Sequence, residues 1–592
     1  VDSYSSQEGL LTIDQLAKQY ARPDLVVWAI TISEKGKVVD FVSRTDIRFP
    51  VLLDESTEVS DLYQARIILP TVCILGPGMK VLDYLQGGGK GTEKMLVRLA
   101  ERNLQRKQTE MAKTLGDQVL EKNPKNIEAK TIKGYAALQE GDLEEADRIF
   151  SNVSKEKGQG EILGKEGLMA VYEKEGEQEK ALVLAKEVEE RAPDRAYVHV
   201  FKGDRLYRQG KKEEARKEYM KAVQKEAAES HQKALAYNKL GRLNASLGDY
   251  QSARELYDQA VEINPYYVEV MSNRGRTYEE EGQWDKALDA YNEALSLDKN
   301  DAFSAVLARK AKEMLDFQKD VERKERVDKL VNELAERYRT QKSLRTKSKD
   351  PWTTRPMILT FVDFQEKGGL AERDGYSDVL ITQLGEQLNS SGRVQVVERI
   401  LIERLLEELN LSASDLVDPE TKLRLGEILA AKLIGTGSVY FMANETVLSL
   451  RLIDTETSAV PKVITRKLSS LAQLEQELLS LDREVLKTVM MKYPLCGYVI
   501  DVTTDRVMVN IGSKHGVVQG TAFEVLEDQE PIKYRGRVIQ PAPKSIAKIE
   551  ITQVETDLCY ARILNQERPL KRDDKVREMV EDIQTIGELD EI

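Results

Sequence analysis

Residues 238–265 read NKLGRLNASLGDYQSARELYDQAVEINP, and this stretch decides how the middle of the chain folds. Its skeleton is Gly241, Gly248, Ala253, Tyr257, Ala260 and Pro265. The skeleton returns as Gly275, Tyr278, Gly282, Ala287, Tyr291 and Ala294, with Gly275 standing 34 residues after Gly241. Working backwards, Gly203, Gly210, Ala215, Tyr219 and Ala222 make one copy, and Gly134, Gly141, Ala146 and Phe150 another. A weaker copy between them keeps Tyr172, Gly176 and Ala181 but has Met169 in place of the first glycine. The step from Gly203 to Gly241 is 38 residues, which marks a short insertion. Small residues at a helix crossing let two antiparallel helices approach closely, and the neighbouring ring fills the space beside them. Each helix pair leaves an apolar face that the next pair covers, so about three or more copies are needed for a stable array.

A 34-residue period with this pattern resembles the tetratricopeptide repeat family. Five full repeats, with a partial one over 112–124 ahead of them, predict an all-α superhelix across residues 106–316. Such an array has a concave face built from the first helix of each pair. Tyr135, Asn238, Arg242, Ser272 and Arg276 are expected on it as protein-binding positions, for an extended peptide or a partner's acidic tail. Residues 302–345 read as one long charged helix whose first part caps the array. Overlapping its end, 317–350 reads as a helical linker ending in Arg337, Arg339, Lys342, Arg345, Lys347 and Lys349, before a boundary at Asp350-Pro351.

A chain of 592 residues is long for one core, and two to four domains are the natural division. Hydrophobic residues are 41% and charged residues 32%, as in ordinary soluble domains, and the net charge of −13 argues against general nucleic-acid binding. No apolar run approaches the ~18 residues of a membrane-spanning helix. Cys73, Cys496, Cys559, His199, His231 and His515 are too scattered for a zinc site, so no metal and no cofactor is expected.

Residues 1–105 alternate helix and strand: a helix over 10–20, a strand from Leu25, a helix over 38–45, a strand from Phe49, a hairpin around Gly76-Pro77-Gly78 and a closing helix. This order predicts one mixed sheet with helices on it. Together with Leu69-Pro70-Thr71, it resembles the redoxin branch of the thioredoxin-like α/β fold, which implies that Pro70 faces the active site. Ser3 and Ser6 then stand where that family has its two cysteines, and a serine hydroxyl does not ionise as a thiolate does. Cys73 comes too late after Pro70 to be the nucleophile, so the domain is expected to be redox-inactive. The resemblance also implies a first strand upstream of Val1. Gly87 to Thr92 (GGGKGT) departs from phosphate-loop spacing because Gly91 separates Lys90 from Thr92.

Residues 351–485 carry VDF, SGRVQVVER, DPETKLRLGEILAAKLIGTGSV and LSLRLIDTET. These segments resemble the curli-secretion pore protein family and imply an α/β (α+β) domain. The short turn at Ala443-Asn444-Glu445 leaves no room for the long amphipathic hairpins of pore-forming members. Residues 486–577 read as short strands with Gly512, Gly516 and Gly520 at turns, a small β-barrel. The run DRVMVNIGSKHGVVQGTAFEVL there resembles the C-terminal domain of a flagellar outer-membrane-ring assembly protein family. His515 reads as a turn residue, Cys496 and Cys559 as a pair able to form a disulfide in an oxidising compartment, and 578–592 as a frayed acidic tail.

The expected function is that of a non-catalytic periplasmic or outer-membrane-associated scaffold. Its partners would be proteins of a flagellar-type or other envelope assembly, with homo-oligomer formation through residues 356–480. The competing reading is a thiol-disulfide oxidoreductase or cytochrome-maturation helper whose cysteines lie upstream of Val1.

Overall fold

The computed structural model describes residues 3–19, 26–65, 70–87, 90–225, 230–340, 350, 352–411, 415–442, 445–468, 474–503, 506–535 and 537–580. Leu69, Gly88, Gly89, Lys342, Arg345, Lys347, Lys349, Pro351, the Ala443-Asn444 turn and the tail beyond 580 lie outside them. The chain divides into two compact units, Val1–Val270 and Met271–Ile592.

The first unit opens with α1 (Tyr4–Gln19), β1 (Ala29–Thr31), α2 (Lys35–Thr45), β2 (Val51–Leu53), α3 (Glu58–Leu62), β3 (Thr71–Leu75), β4 (Val81–Gln86) and α4 (Lys90–Gln105). The expected single mixed sheet is corrected here. β1 pairs with β2 in parallel and β3 with β4 antiparallel, as two separate sheets. Among the described residues no strand hydrogen-bonds to both β1 and β3, so the ladder is interrupted. Val26, Trp28, Ile30 and Ile32 consequently alternate along one exposed side of the β1 segment, with Leu52 beside Ile30.

The repeat helices follow as α5 (Thr109–Lys122), α6 (Ile127–Glu140), α7 (Leu143–Val153), α8 (Gln159–Glu175), α9 (Gln178–Arg191), α10 (Ala196–Arg208), α11 (Lys212–Gln224), α12 (Ser230–Ser246) and α13 (Tyr250–Ile263). The turn within a pair is written in two residues. Gly248 ends α12 at φ 83°, and Asp249 caps α13 by accepting from the Ser252 amide at 3.2 Å. Gly141 and Asp142 repeat the device between α6 and α7. At the crossing, a Cβ on Gly241 would stand 2.6 Å from the Tyr257 ring, and one on Gly203 2.5 Å from Tyr219. In the weak copy, Met169 is fully buried while the close approach moves to Gly164 and Gly167, the latter against Phe150.

The unit division falls inside α14 (Val268–Glu280). The second unit continues with α15 (Trp284–Leu297), α16 (Ala302–Lys319) and α17 (Val321–Thr340). The long helix expected over 302–345 is therefore broken at Asp320, whose backbone leaves the helical region (φ −85°, ψ 89°). Its carboxylate accepts from the Arg323 amide at 2.9 Å, so it caps the next helix. The segment read as a linker is corrected too: Leu334 and Ala335 of α17 share a core with Leu405, Leu425 and Ile428.

Next come β5 (Ile358–Gly368), α18 (Tyr376–Ser390), β6 (Gln395–Val396), α19 (Arg399–Leu409), α20 (Pro419–Ile428), β7 (Leu433–Phe441), β8 (Thr446–Asp454), β9 (Lys462–Leu468) and α21 (Leu474–Lys492). The strands form one five-stranded sheet ordered β6-β5-β7-β8-β9, parallel through β6, β5 and β7 and antiparallel beyond. Asp418 caps α20 ahead of Pro419, accepting from the Thr421 amide at 2.8 Å.

The C-terminal barrel holds β10 (Cys496–Val502), β11 (Val507–Val509), β12 (Ala522–Glu527), β13 (Ile532–Tyr534), β14 (Arg537–Ile539), β15 (Lys544–Val554), β16 (Cys559–Gln566) and β17 (Lys575–Glu578). Six of them close in the order β10-β11-β16-β15-β12-β17. β17 is the strand that the reading of a tail from Glu578 divided. It bridges β10 and β12, and Glu578 is buried, accepting from Arg393 Nη2 and the Leu495 amide, each at 2.9 Å. An acidic residue looks like tail material until the buried arginine that neutralises it is known.

The crossing geometry gives a direct test. Gly241→Val would push two methyls into the Tyr257 ring and is expected to destabilise the array by about 1–3 kcal/mol. Gly248→Ala would strain only the left-handed turn and cost about 1–2 kcal/mol. Urea melts followed by far-UV circular dichroism measure both.

Candidate functional site: the inner face of the repeats and the buried charge cluster

The first helices of the repeats turn their polar residues inward, and in the first unit those residues pair with one another. Glu166 on α8 is fully buried and receives two hydrogen bonds from Arg195, at 2.8 and 2.5 Å, and one from Gln232 on α12 at 3.0 Å. Tyr135 on α6 meets His231 on α12 edge-to-face, with ring centroids 4.8 Å apart. Lys239 on α12 reaches Asp204 on α10 at 3.2 Å. Side chains far apart in sequence thus meet across the concave face.

The two ends of this stretch also meet. Arg102 Nη1 at the end of α4 donates to the Ile263 carbonyl at 3.3 Å, and Arg106 lies 5.3 Å over the Tyr266 ring. Lys107 pairs with Glu269, whose side chain is buried. The helices from α4 to α13 therefore close on themselves.

Glu173 is the most perturbed carboxyl of that interior. Burial, added to the charge of Asp204, pushes it up to about 7 although Arg208 stands at 3.4 Å. Eighteen per cent of its side chain remains open to water, so protein walls surround it without sealing it. Tyr197, whose hydroxyl donates to Glu173 at 3.4 Å, is held well above its ordinary range by the same burial.

In the second unit, α14 to α16 stand against the α/β domain. Asp378, in the first turn of α18, takes Arg276 of α14 at 2.7 Å, Lys310 of α16 at 3.0 Å and Arg399 of α19 at 2.5 Å. Burial alone would raise its carboxyl, but the three cations outweigh it and hold Asp378 well below the ordinary carboxylate range. Glu279 joins through Lys310 and Arg276, and accepts from Tyr291 at 2.8 Å. Alongside, Arg373 makes two contacts of 2.8 Å to Asp301, and Asn273 donates to the Glu372 carbonyl at 2.8 Å. One apolar core runs beneath these pairs, joining Tyr291, Phe303 and Leu307 to Leu359, Leu380, Leu384 and Leu450.

Of the five positions expected to face a peptide, Asn238 and Ser272 are wholly buried, Arg242 is 5% exposed, Arg276 is committed to Asp378, and Tyr135 packs on His231. Their inward direction was readable from the repeat phase. That an acidic residue about 100 positions later takes up Arg276 was not.

Cys496 and Cys559 are free thiols, which corrects the disulfide reading. Their strands, β10 and β16, are separated by β11 in the barrel, which puts the chains about 9–10 Å apart, whereas a bridge needs Cα atoms within ~7 Å. Burial pushes the Cys559 thiol up to about 12. Ser6 lies in α1 with Ser3 just before it, and the Pro70 ring packs 3.7 Å from the place of a Cβ on Gly9. Burial raises the Cys73 thiol, opposite to what a nucleophile requires. His515 ends a 3-10 turn and accepts from the Gly512 amide at 3.1 Å. Among the described residues no group of three or more metal-ligating side chains occurs, and no helix is long and apolar enough to cross a membrane.

Family comparison agrees with this layout. Residues 202–268 and 245–310 match models of the tetratricopeptide repeat, and residues 363–449 match that of the curli production assembly/transport component CsgG. The chain carries tetratricopeptide repeats and a CsgG domain. Among curated proteins, it is 38% identical over 64 residues to the uncharacterized protein ycf37 of Pyropia yezoensis, covering 11% of this chain and 36% of that one. It is 28% identical over 124 residues to the photosystem I assembly protein Ycf3 of Rippkaea orientalis, covering 19% of this chain and 71% of the relative. Solved structures with some likeness are the APC/C hetero-tetramer Cut9-Hcn1 (14% identity, 37% of this chain and 42% of that chain, TM-score 0.30) and MamA (23% identity, 28% and 96%, TM-score 0.22).

Two outcomes follow from the buried charges. Asp378→Ala strands three cations and is expected to destabilise the second unit by about 3–5 kcal/mol. Because the Asp378 carboxyl is depressed in the folded state, its contribution is present above about pH 4 and fades as pH falls below that; the variant should lose this acid sensitivity. Glu173 has the opposite sign. Its folded form holds a proton that the unfolded chain has released between its ordinary 4.5 and about 7, so stability falls as pH rises through that window. Denaturant melts at pH 5 and pH 8 should show Glu173→Gln flattening that slope.

Proposed function

We propose that this chain is a non-catalytic scaffold or assembly factor of the cell envelope, periplasmic or outer-membrane-associated, that holds protein partners on its repeats. The observation that carries the reading is the single apolar core shared by α15 and α16 with the CsgG-type sheet. Repeats are surfaces for protein contact, and a shared core turns the last of them into a fixed bracket on the α/β domain. The CsgG match supports an envelope setting, and the Ycf3 name supports an assembly role.

In finer detail, residues 1–105 act as a redox-inactive module that resembles the thioredoxin-like order of elements without its continuous sheet, and the barrel as a flagellar-assembly-type docking module. Partners approach outer helix faces or the β1 stripe, because the inner polar row is taken up by internal pairs. Cell fractionation with cross-linking tests the reading. The full chain is expected in the envelope fraction, with discrete protein adducts mapping to repeat helices. Recovery in the cytosol without adducts, or thiol-dependent reduction of insulin by the pure chain, would contradict it.

A further inference from the structure

Between β12 and β15 the chain leaves the barrel and returns, making a hairpin that contributes nothing to the barrel wall. β13 and β14 pair only with each other, and every described side chain from 527 to 540 outside the tip is exposed. Ile532, Tyr534, Val538 and Ile539 are 57%, 56%, 67% and 47% exposed. Pairing sets Ile532 opposite Ile539 and Lys533 opposite Val538. Strand alternation then puts Ile532, Tyr534 and Ile539 on one face and Val538 on the other.

The stem is stiffened by Pro531, Pro541 and Pro543, and between Pro531 and Pro543 the charged residues are Lys533, Arg535 and Arg537, all basic, on a chain of net charge −13. Of the acids at the foot, Asp528 is neutralised by Lys575 at 2.6 Å and Glu527 by Arg568 at 3.0 Å, while Glu530 stands exposed just before Pro531, outside the stem.

A stiff ribbon with apolar side chains on both faces, a tyrosine and a cationic tip needs an environment that is anionic outside and apolar within. A protein groove covers one face of a ribbon and leaves the other in water. The headgroup zone of a bilayer surrounds it on all sides, and tyrosine with lysine or arginine is the composition suited to that depth. We propose that the 532–539 hairpin is a membrane-surface anchor that dips into an anionic bilayer without crossing it.

Flotation of the full chain with vesicles of phosphatidylcholine, with and without about one third phosphatidylglycerol, tests this. Co-flotation is expected with the anionic vesicles and should weaken with added salt. Ile532→Ser with Val538→Ser, or Lys533→Glu with Arg535→Glu, should each lower the bound fraction about fivefold or more. Thermal melting should not change, because these side chains lie outside the barrel core. Absence of flotation, equal flotation with pure phosphatidylcholine, or variants that bind as the parent does would each overturn the proposal. Variants that keep vesicle binding but lose a cross-linked acidic protein would assign the hairpin to a protein partner instead.

Discussion

A carboxylate largely withdrawn from water stays ionised when cations surround it, and Asp378 is shared by three, one from each of α14, α16 and α19. Measured against apolar residues of the same size, buried ion pairs add little net stability. The stability of this junction comes from the core below, where each fully buried leucine or aromatic side chain contributes about 1.5–3 kcal/mol. What the cluster adds is geometry. A slip of one helical turn between α16 and α18 would leave charges buried and unpaired, so the apolar core is allowed one register. The same division of labour appears at the barrel, where Arg393 and Glu578 pair over a hydrophobic interior.

The first unit answers a related problem differently. Its inner face is polar, and Glu166 with Gln232, like Tyr135 with His231, pairs across helices that are not neighbours in sequence. The contacts of Arg102, Arg106 and Lys107 with residues 263–269 hold that arrangement closed. Glu173 is the perturbed member, a buried carboxyl beside the Asp204 carboxylate, whose effect Arg208 at 3.4 Å and Lys239 only partly offset. An inner face in this state is a structural interior.

Local physics was legible and distant pairing was not. Gly241 against Tyr257 is settled within one helix pair and was legible from the repeat spacing, and Asp418 before Pro419 from the residues themselves, whereas the Asp249 cap that follows Gly248 is local too but was not read. The break at Asp320 was hidden because charged residues on both sides continue a helical pattern. Arg276 belongs to the inward row by phase, but its partner lies in α18 and no local signal announces it. β17 was missed because Lys575 to Glu578 is short and charged, and only the edges of β10 and β12 make it a strand. The separate β1–β2 and β3–β4 sheets depart from the expectation for the same reason: sheet membership is set by neighbours, not by the strand's own residues.

The claim on which the functional reading rests is that the last repeat helices and the CsgG-type domain are one folded body. Native-state hydrogen exchange with mass spectrometry on the intact chain measures this directly. The account predicts that amides of α15, α16 and α18 are protected to a similar degree and open together as denaturant is added. Exchange of α15 and α16 well ahead of α18, as independent elements, would contradict it.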